Sequence, residues 1–171
     1  MDLMNELAPE RFEEVDDLLA FVSIYDDDNR TKAYKKMLRE NQHLIKGAVC
    51  VEAGCGFGLF SEYMANLGAK KVYAVERNPL LYKQAKARLS QYSNVELVQN
   101  DIRDFNPTEQ INVLVQELFG QLLYDEDIYV LNQLKFNPGI VLPSQAVLAG
   151  GLADSDELLD DTVNENVLKE L

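Results

Sequence analysis

Short apolar runs alternate with segments of helical periodicity over most of this chain. Val49, Cys50 and Val51 form the first short run, and similar runs occupy residues 71–75, 95–98, 111–115 and 139–142. Runs of this length bounded by turn residues predict buried strands. Apolar residues at helical spacing predict helices over residues 31–46, 59–67, 79–91 and 128–134. This alternation predicts an α/β fold: a doubly wound, mostly parallel, Rossmann-like sheet with helices on both faces.

Two segments with helical spacing precede the first strand and predict a separate helical region. They cover residues 8–22 and residues 31–46, and Gly47 marks the end of the second. We therefore expect an N-terminal helical cap over residues 1–46 and the strand–helix core over residues 47–152. Residues 153–171 form an acidic C-terminal tail of weak helical character.

The composition is that of one globular domain. The chain has 171 residues, 47% hydrophobic and 26% charged, which is enough for one core and too few for two ordinary domains. No run approaches the roughly 18 apolar residues of a membrane span, and the N-terminus has no apolar signal region, so we expect a cytoplasmic protein without membrane partners. The formal net charge of −13 argues against binding to nucleic-acid phosphates and would suit a cationic partner.

Cysteine and histidine are too few for several kinds of site. Cys50 and Cys55 are the only cysteines, and His43 is the only histidine. We therefore expect neither a disulfide framework nor a Cys/His metal site, and we interpret the thiols as reduced and structural.

A glycine-rich turn follows the first predicted strand. Gly54, Gly56 and Gly58 form a G-x-G-x-G pattern, whereas a dinucleotide-binding fingerprint would place its third glycine at position 59, which is a leucine. Glu52 precedes the turn, and Glu76 ends the second strand, where an open α/β sheet places the acid that binds a ribose diol. An acid suited to an ammonium group beside an acid suited to a ribose indicates S-adenosyl-L-methionine as the cofactor. The alternative is a structural glycine turn beside a solvated Glu76.

An acidic loop follows the fourth predicted strand. Glu117 lies just beyond the apolar run and Glu126 stands nine positions later, so on one helix the two side chains would face opposite ways. Gly120 lies between them and would permit the chain to turn back, which would bring two carboxylates together. The alternative is that Glu117 is an acid at a helix N-terminus and Glu126 belongs to a solvated acidic run.

With these motifs, residues 27–148 resemble the class I S-adenosylmethionine-dependent methyltransferases, and within them the protein arginine methyltransferases. The stretch "ELFGQLLYDE" is similar to that family's double-glutamate loop, with Glu117 and Glu126 at the two glutamate positions. The resemblance implies that Arg30 pairs with the carboxylate of the cofactor, that Glu76 binds its ribose, and that Asp101 lies near its adenine amino group. The family's β-barrel with its Thr-His-Trp loop is not matched, because the chain has no Trp and its histidine lies upstream.

The predicted chemistry is methyl transfer to a cation. A methyl group on a sulfonium is already activated, so the protein mainly has to hold a nucleophile in line with it, and S-adenosyl-L-homocysteine is the product. Two carboxylates could grip a guanidinium through paired N–H···O bonds. We expect N-methylation of a guanidino group or another cationic amine on a protein, a peptide or a small molecule. A small-molecule methyltransferase and a cofactor-binding module without catalysis stay open, a dinucleotide oxidoreductase ranks last, and the oligomeric state is not predicted.

Overall fold

The computed structural model describes residues 27–119 and 127–147, and its elements follow the predicted alternation. The α-helices are α1 (Asp28–Glu40), α2 (Gln42–Ile45), α3 (Leu59–Asn66) and α4 (Pro79–Leu89). A 3₁₀ helix, η1, spans Asp127–Gln133. The strands are β1 (Val49–Ala53), β2 (Lys71–Glu76), β3 (Val95–Gln99), β4 (Val113–Gln116) and β5 (Ile140–Leu142).

The strands form one parallel sheet in the order β3-β2-β1-β4-β5. The chain builds the sheet outward from β1 to β3, then returns to add β4 and β5 on the other side of β1. The doubly wound parallel fold predicted from the sequence is confirmed. In such a sheet, ligands bind beyond the carboxyl ends of the strands where the winding reverses, which here is between β1 and β4.

The α-helices of the described residues pack on one side of the sheet, here called the front face. Leu38 of α1 and Met64 of α3 lie against Cys50 of β1 and Val72 of β2, and all four side chains are fully buried. The front-face cluster also contains Ile45, Ala48, Phe60, Ala69, Val113, Val115 and Leu142. The apolar stripes of the helices thus cover the strand residues that the sequence predicted to be buried.

The opposite side, here called the back face, has a different cover. Ile102 and Phe105, from the segment between β3 and β4, pack there with Val130 of η1 against Val51 and Leu114 of the two central strands. The helix predicted over residues 128–134 is therefore present as a 3₁₀ helix, and it supplies the helical cover of this face. Because β1 and β4 are buried on both faces, their sequences are continuous apolar runs rather than alternating ones.

Three element boundaries have identifiable physical causes. α1 begins at Asp28, three residues earlier than predicted, because the Asp27 side chain accepts the backbone N–H groups of the first turn. α4 begins at the predicted place, because the Asn78 side chain caps it in the same way. β4 begins at Val113, two residues later than predicted; the preceding Asn112 binds Val49 through both its side chain and its backbone.

Several predictions lie outside the described residues. These are the helix over residues 8–22, the turn at Gly120, the position of Glu126 and the tail over residues 153–171, so the three proposed regions of the chain stay predictions. Among residues 27–119 and 127–147, no helix combines the length and hydropathy that crossing a bilayer requires. The same residues hold no group of three or more side chains suited to a metal ion.

Candidate functional site

The glycine turn lies at the carboxyl end of β1, beside the point where the winding of the sheet reverses. Gly54, Gly56 and Gly58 all have positive φ angles, of 69, 52 and 78°. L-residues with a side chain rarely adopt this conformation, which explains why the pattern requires glycine. At Gly58 an added Cβ would also lie 2.7 Å from Leu89 Cδ1, so the turn packs tightly against α4.

Glu76, the last residue of β2, accepts a hydrogen bond from the backbone of the glycine turn. Its side chain is buried, and Oε2 accepts the backbone N–H of Gly56 at 2.8 Å while Oε1 accepts that of Asn78 at 2.7 Å. Burial raises the pKa of the Glu76 carboxyl, and the two backbone N–H groups oppose that rise. Each carboxylate oxygen has a second lone pair, so Glu76 retains the capacity to accept hydroxyl groups, as a ribose would require.

Glu52 lies on the front face next to the same turn. Only 4% of the residue is exposed, and the hydroxyl of the fully buried Ser61 donates a hydrogen bond to its Oε2. Burial raises the pKa of Glu52 to about 8; the Ser61 hydroxyl and backbone N–H lower it, and the charge of Glu76 adds to the rise. The carboxyl group that the sequence assigned to an ammonium ligand therefore has a protein partner of its own.

Asp101, which follows β3, is bound by a neighbouring arginine. Its Oδ1 accepts hydrogen bonds of 2.9 Å from the Arg103 backbone N–H and from Arg103 Nε. The Arg103 guanidinium holds the pKa of Asp101 at about 2. Asp101 is thus ionised and fixed in orientation, with less acceptor capacity left than a free carboxylate has.

Glu117 is the first residue after β4, and it forms an ion pair with Arg30 of α1. Arg30 Nε donates to Glu117 Oε1, and the two side chains are only 24% and 16% exposed. Gln116 orients this strand end, since its Oε1 accepts the Leu118 N–H at 2.9 Å. The structure therefore brings together the arginine predicted to hold the cofactor carboxylate and a glutamate predicted to hold the acceptor.

The end of β4 also approaches the glycine turn. A Cβ added to Gly54 would lie 3.7 Å from Leu118 Cδ2. The Leu118 side chain therefore faces the space that a side chain at the first glycine of the turn would fill. A group held at Glu117 and a ligand held at the turn would be neighbours.

Three partners of the site were missed by sequence reasoning. Ser61 could have been found, because it is a polar residue among the apolar positions of a predicted helix. Gln116 gave a similar signal, a polar residue directly after a buried strand. Arg103 gave no distinctive signal, since an arginine in an acidic loop is ordinary.

The described residues fit an adenosyl cofactor that carries an amino-acid group. Glu76 offers carboxylate oxygens next to a turn in which three of five residues are glycines without a Cβ. Arg30 offers a guanidinium suited to a carboxylate, although Glu117 engages it in this structure. The glycine turn follows the carboxyl end of β1, and Glu76 lies at that of β2. Arg30 pairs with Glu117 directly after the carboxyl end of β4.

Comparison with known proteins gives consistent results. Residues 50–134 match a family model described as a methyltransferase domain. The chain is 30% identical over 129 residues to the probable protein arginine N-methyltransferase 6 of Arabidopsis thaliana, a match covering 71% of this chain and 30% of that protein. It is 28% identical over 139 residues to protein arginine N-methyltransferase 1 of Schizosaccharomyces pombe, covering 76% of this chain and 41% of that protein.

A solved structure gives the same result. The fold is similar to that of the Trypanosoma brucei PRMT1 enzyme–prozyme heterotetrameric complex with AdoHcy, with a TM-score of 0.60 and 25% sequence identity. The match covers 67% of this chain and 36% of that one. The chain spans less than half the length of these relatives.

Proposed function

Because this chain belongs to the class I S-adenosylmethionine-dependent methyltransferases and resembles the methyltransferase domain of the protein arginine methyltransferases, we propose that it methylates a nitrogen of a cationic acceptor. The favoured acceptor is an arginine guanidino group in a protein or peptide; a small cationic amine is the second candidate. S-adenosyl-L-methionine is the methyl donor. The residues proposed to bind it are Arg30, Gly54, Gly56, Gly58, Glu76 and Asp101, with Glu52 next to the glycine turn, and the residues proposed to bind the acceptor are Glu117 and Glu126.

One observation carries the choice of a cationic acceptor. Glu117 directly follows β4 at the reversal point of the sheet, its neighbour Leu118 faces Gly54 of the glycine turn, and its carboxylate holds a guanidinium, that of Arg30. Its small exposed fraction keeps water from competing strongly for the carboxylate. A site with this chemistry favours planar cations that donate N–H groups.

The cofactor would supply a methyl group already activated on a sulfonium, so the protein's contribution is mainly to bind and orient. Glu76 would accept the ribose hydroxyl groups, and the glycine turn would let the ligand approach the backbone closely. Arg30 would share its guanidinium between the carboxylate of the ligand and Glu117. The Arg30 guanidinium would then lie between the carboxylate of the cofactor and the acceptor bound at Glu117.

At the acceptor side, Glu117 has one oxygen, Oε2, that Arg30 Nε does not engage. That oxygen would accept an N–H of the acceptor and fix the plane of its guanidinium. Charge drawn toward the bound nitrogens would leave the remaining nitrogen more nucleophilic. The proton released at the end of the transfer would pass to a carboxylate or to water.

Two measurements test this proposal in sequence. Calorimetry with S-adenosyl-L-methionine and with NAD distinguishes the family's cofactor from that of an oxidoreductase, and we expect binding of the first alone. Transfer of a radiolabelled methyl group is then followed on arginine peptides and on a panel of small cationic amines. Label in methylarginine supports the favoured acceptor, and label only in small amines supports the second candidate. Binding of NAD without S-adenosyl-L-methionine would reject both.

A further inference from the structure

A pair of hydrogen bonds spans the glycine turn and joins the strand before it to the helix after it. Glu52 is the fourth residue of β1, and Ser61, nine positions later, is the third residue of α3. The Ser61 hydroxyl donates to Glu52 Oε2, and the Ser61 backbone N–H also bonds to the carboxylate. Both residues are buried, at 4% and 0% exposure.

The start of α3 needs such a partner. The residue at its N-cap position is Gly58, which has no side chain and makes no capping hydrogen bond. The first-turn N–H groups of a helix have no partner within the helix, and a side-chain oxygen commonly accepts from one of them. Glu52 therefore supplies, from the adjacent strand, the cap that the glycine at the end of the turn cannot supply.

The surroundings of Glu52 point to the same role. Its neighbours in register on the adjacent strands are Ala74 and Val115, which offer no side-chain donor. The other charge acting on it is the like charge of Glu76. Within the described residues, the hydrogen bonds that favour the present orientation of the Glu52 carboxyl group come from Ser61.

We propose that Glu52 is a positioning residue that caps α3 through Ser61, so setting the shape of the glycine turn, and does not hold the ammonium group of the cofactor by its charge. This inference rests on the proposed function, because it takes the turn to be the cofactor site. It replaces the sequence-based interpretation of Glu52 and adds Ser61 to the residues on which cofactor binding depends.

The first test compares two ligands by calorimetry. S-adenosyl-L-homocysteine carries the ammonium group, and 5′-methylthioadenosine has the same nucleoside without the amino-acid part. The variants are Glu52→Gln and Ser61→Ala, and Ser90→Ala is the control, because the exposed Ser90 hydroxyl only bonds the Ala87 carbonyl near the end of α4.

We expect Glu52→Gln to weaken both ligands by less than about threefold, because an amide oxygen can still accept from Ser61. Ser61→Ala is expected to weaken both by about five- to tenfold, a factor typical of one lost buried hydrogen bond. The control should bind both ligands as the parent chain does.

A different pattern overturns the proposal. If Glu52 held the ammonium by its charge, Glu52→Gln would weaken S-adenosyl-L-homocysteine by about 30-fold or more and leave 5′-methylthioadenosine unchanged, as expected when one partner of a close charge pair is removed. Ser61→Ala would then have little effect on either ligand.

The second test needs no ligand. Amide hydrogen exchange over residues 54–61 reports how often the turn and the first turn of α3 open. Glu52→Ala and Ser61→Ala should each speed exchange there by about tenfold or more relative to the control. Unchanged exchange would reject the capping role. Failure of the parent chain to bind either adenosyl ligand would instead reject the proposed function, so the two failures are distinguishable.

Discussion

The two sides of the candidate site are built in different ways. On the cofactor side, the contacts join residues close in sequence: Glu76 binds Gly56, 20 positions away, and Asn78, two positions away. On the acceptor side, Glu117 depends on Arg30, 87 positions away, through side chains alone. The first arrangement follows from one strand–helix–strand unit, whereas the second requires α1 to dock correctly against the end of β4.

The largest effect is expected from Glu117→Gln, which separates the two sides functionally. The variant should keep the affinity for S-adenosyl-L-homocysteine within about threefold and lose methyl transfer by about 100- to 1,000-fold, since the charged group that orients the acceptor is gone. Transfer rates and calorimetry on the same sample measure both quantities. Glu109→Gln is the control, because Glu109 bonds Tyr73 and Lys71 away from the turn. Equal loss in both variants would remove Glu117 from the mechanism.

The next largest effect concerns the rigidity of the cofactor side. Gly58→Ala should lower the free energy of unfolding by about 2–4 kcal/mol. The alanine would have to adopt a left-handed backbone conformation, and its Cβ would clash with the buried Leu89. Gly47→Ala is a matched control: Gly47 also has a positive φ, of 74°, but an added Cβ there meets nothing within 4 Å, so about 1 kcal/mol is expected. Urea denaturation measures both. Similar losses would mean that backbone conformation alone, and not packing against α4, fixes the turn.

A smaller effect is expected at the residue that links the two sides. Arg30→Ala should weaken cofactor binding and acceptor binding by about tenfold each, because both lose a charge-assisted partner or its positioning. Arg30→Lys should restore little of this, since an ammonium lacks the planar fork of a guanidinium. Arg39→Ala lies on the same helix, where Arg39 bonds the Tyr63 hydroxyl, and it should leave both affinities unchanged. Loss of one affinity without the other would show that Arg30 serves a single side.

The smallest effect is the pH dependence contributed by Asp101. Its pKa is lowered to about 2 in the folded chain by Arg103, so its stabilising contribution is present above the unfolded value of about 3.9 and is lost as the pH falls toward 2. Asp101→Asn should cost about 1 kcal/mol at neutral pH and flatten the loss of stability below pH 4. The control is Asp104→Asn, which breaks an exposed pair with Lys135 and should change little. If the Asp101→Asn variant lost stability below pH 4 as steeply as the parent chain does, the ion-pair account would be contradicted.

The cofactor side could be predicted from the sequence because its signals are local. Asn78 followed by Pro79 fixes the start of α4, and the three glycines stand where the chain needs positive φ angles. The acceptor side could be predicted only as far as Glu117 itself. The family resemblance implies that its partner Arg30 binds the cofactor, and nothing in the local sequence pattern indicates that Arg30 also contacts Glu117.

Ser61 shows a second limit of sequence reasoning. Its polar side chain among apolar helix positions indicates that it has a buried partner, but the bond crosses from helix to strand, so the sequence does not identify that partner as Glu52. Glu126 lies outside the described residues, and its convergence with Glu117 stays a prediction. A cytoplasmic location and the lack of nucleic-acid and membrane partners also stay predictions, because they rest on composition alone.

The central claim is that Glu117 and its surroundings bind a cation beside the cofactor. The most direct test is the affinity of the chain saturated with S-adenosyl-L-homocysteine for two peptides that differ only in one arginine or citrulline. Citrulline keeps the shape of the arginine side chain and removes its charge. We predict that the arginine peptide binds at least about tenfold more tightly, as expected for charge-assisted hydrogen bonds. Equal affinity for the two peptides would contradict the account.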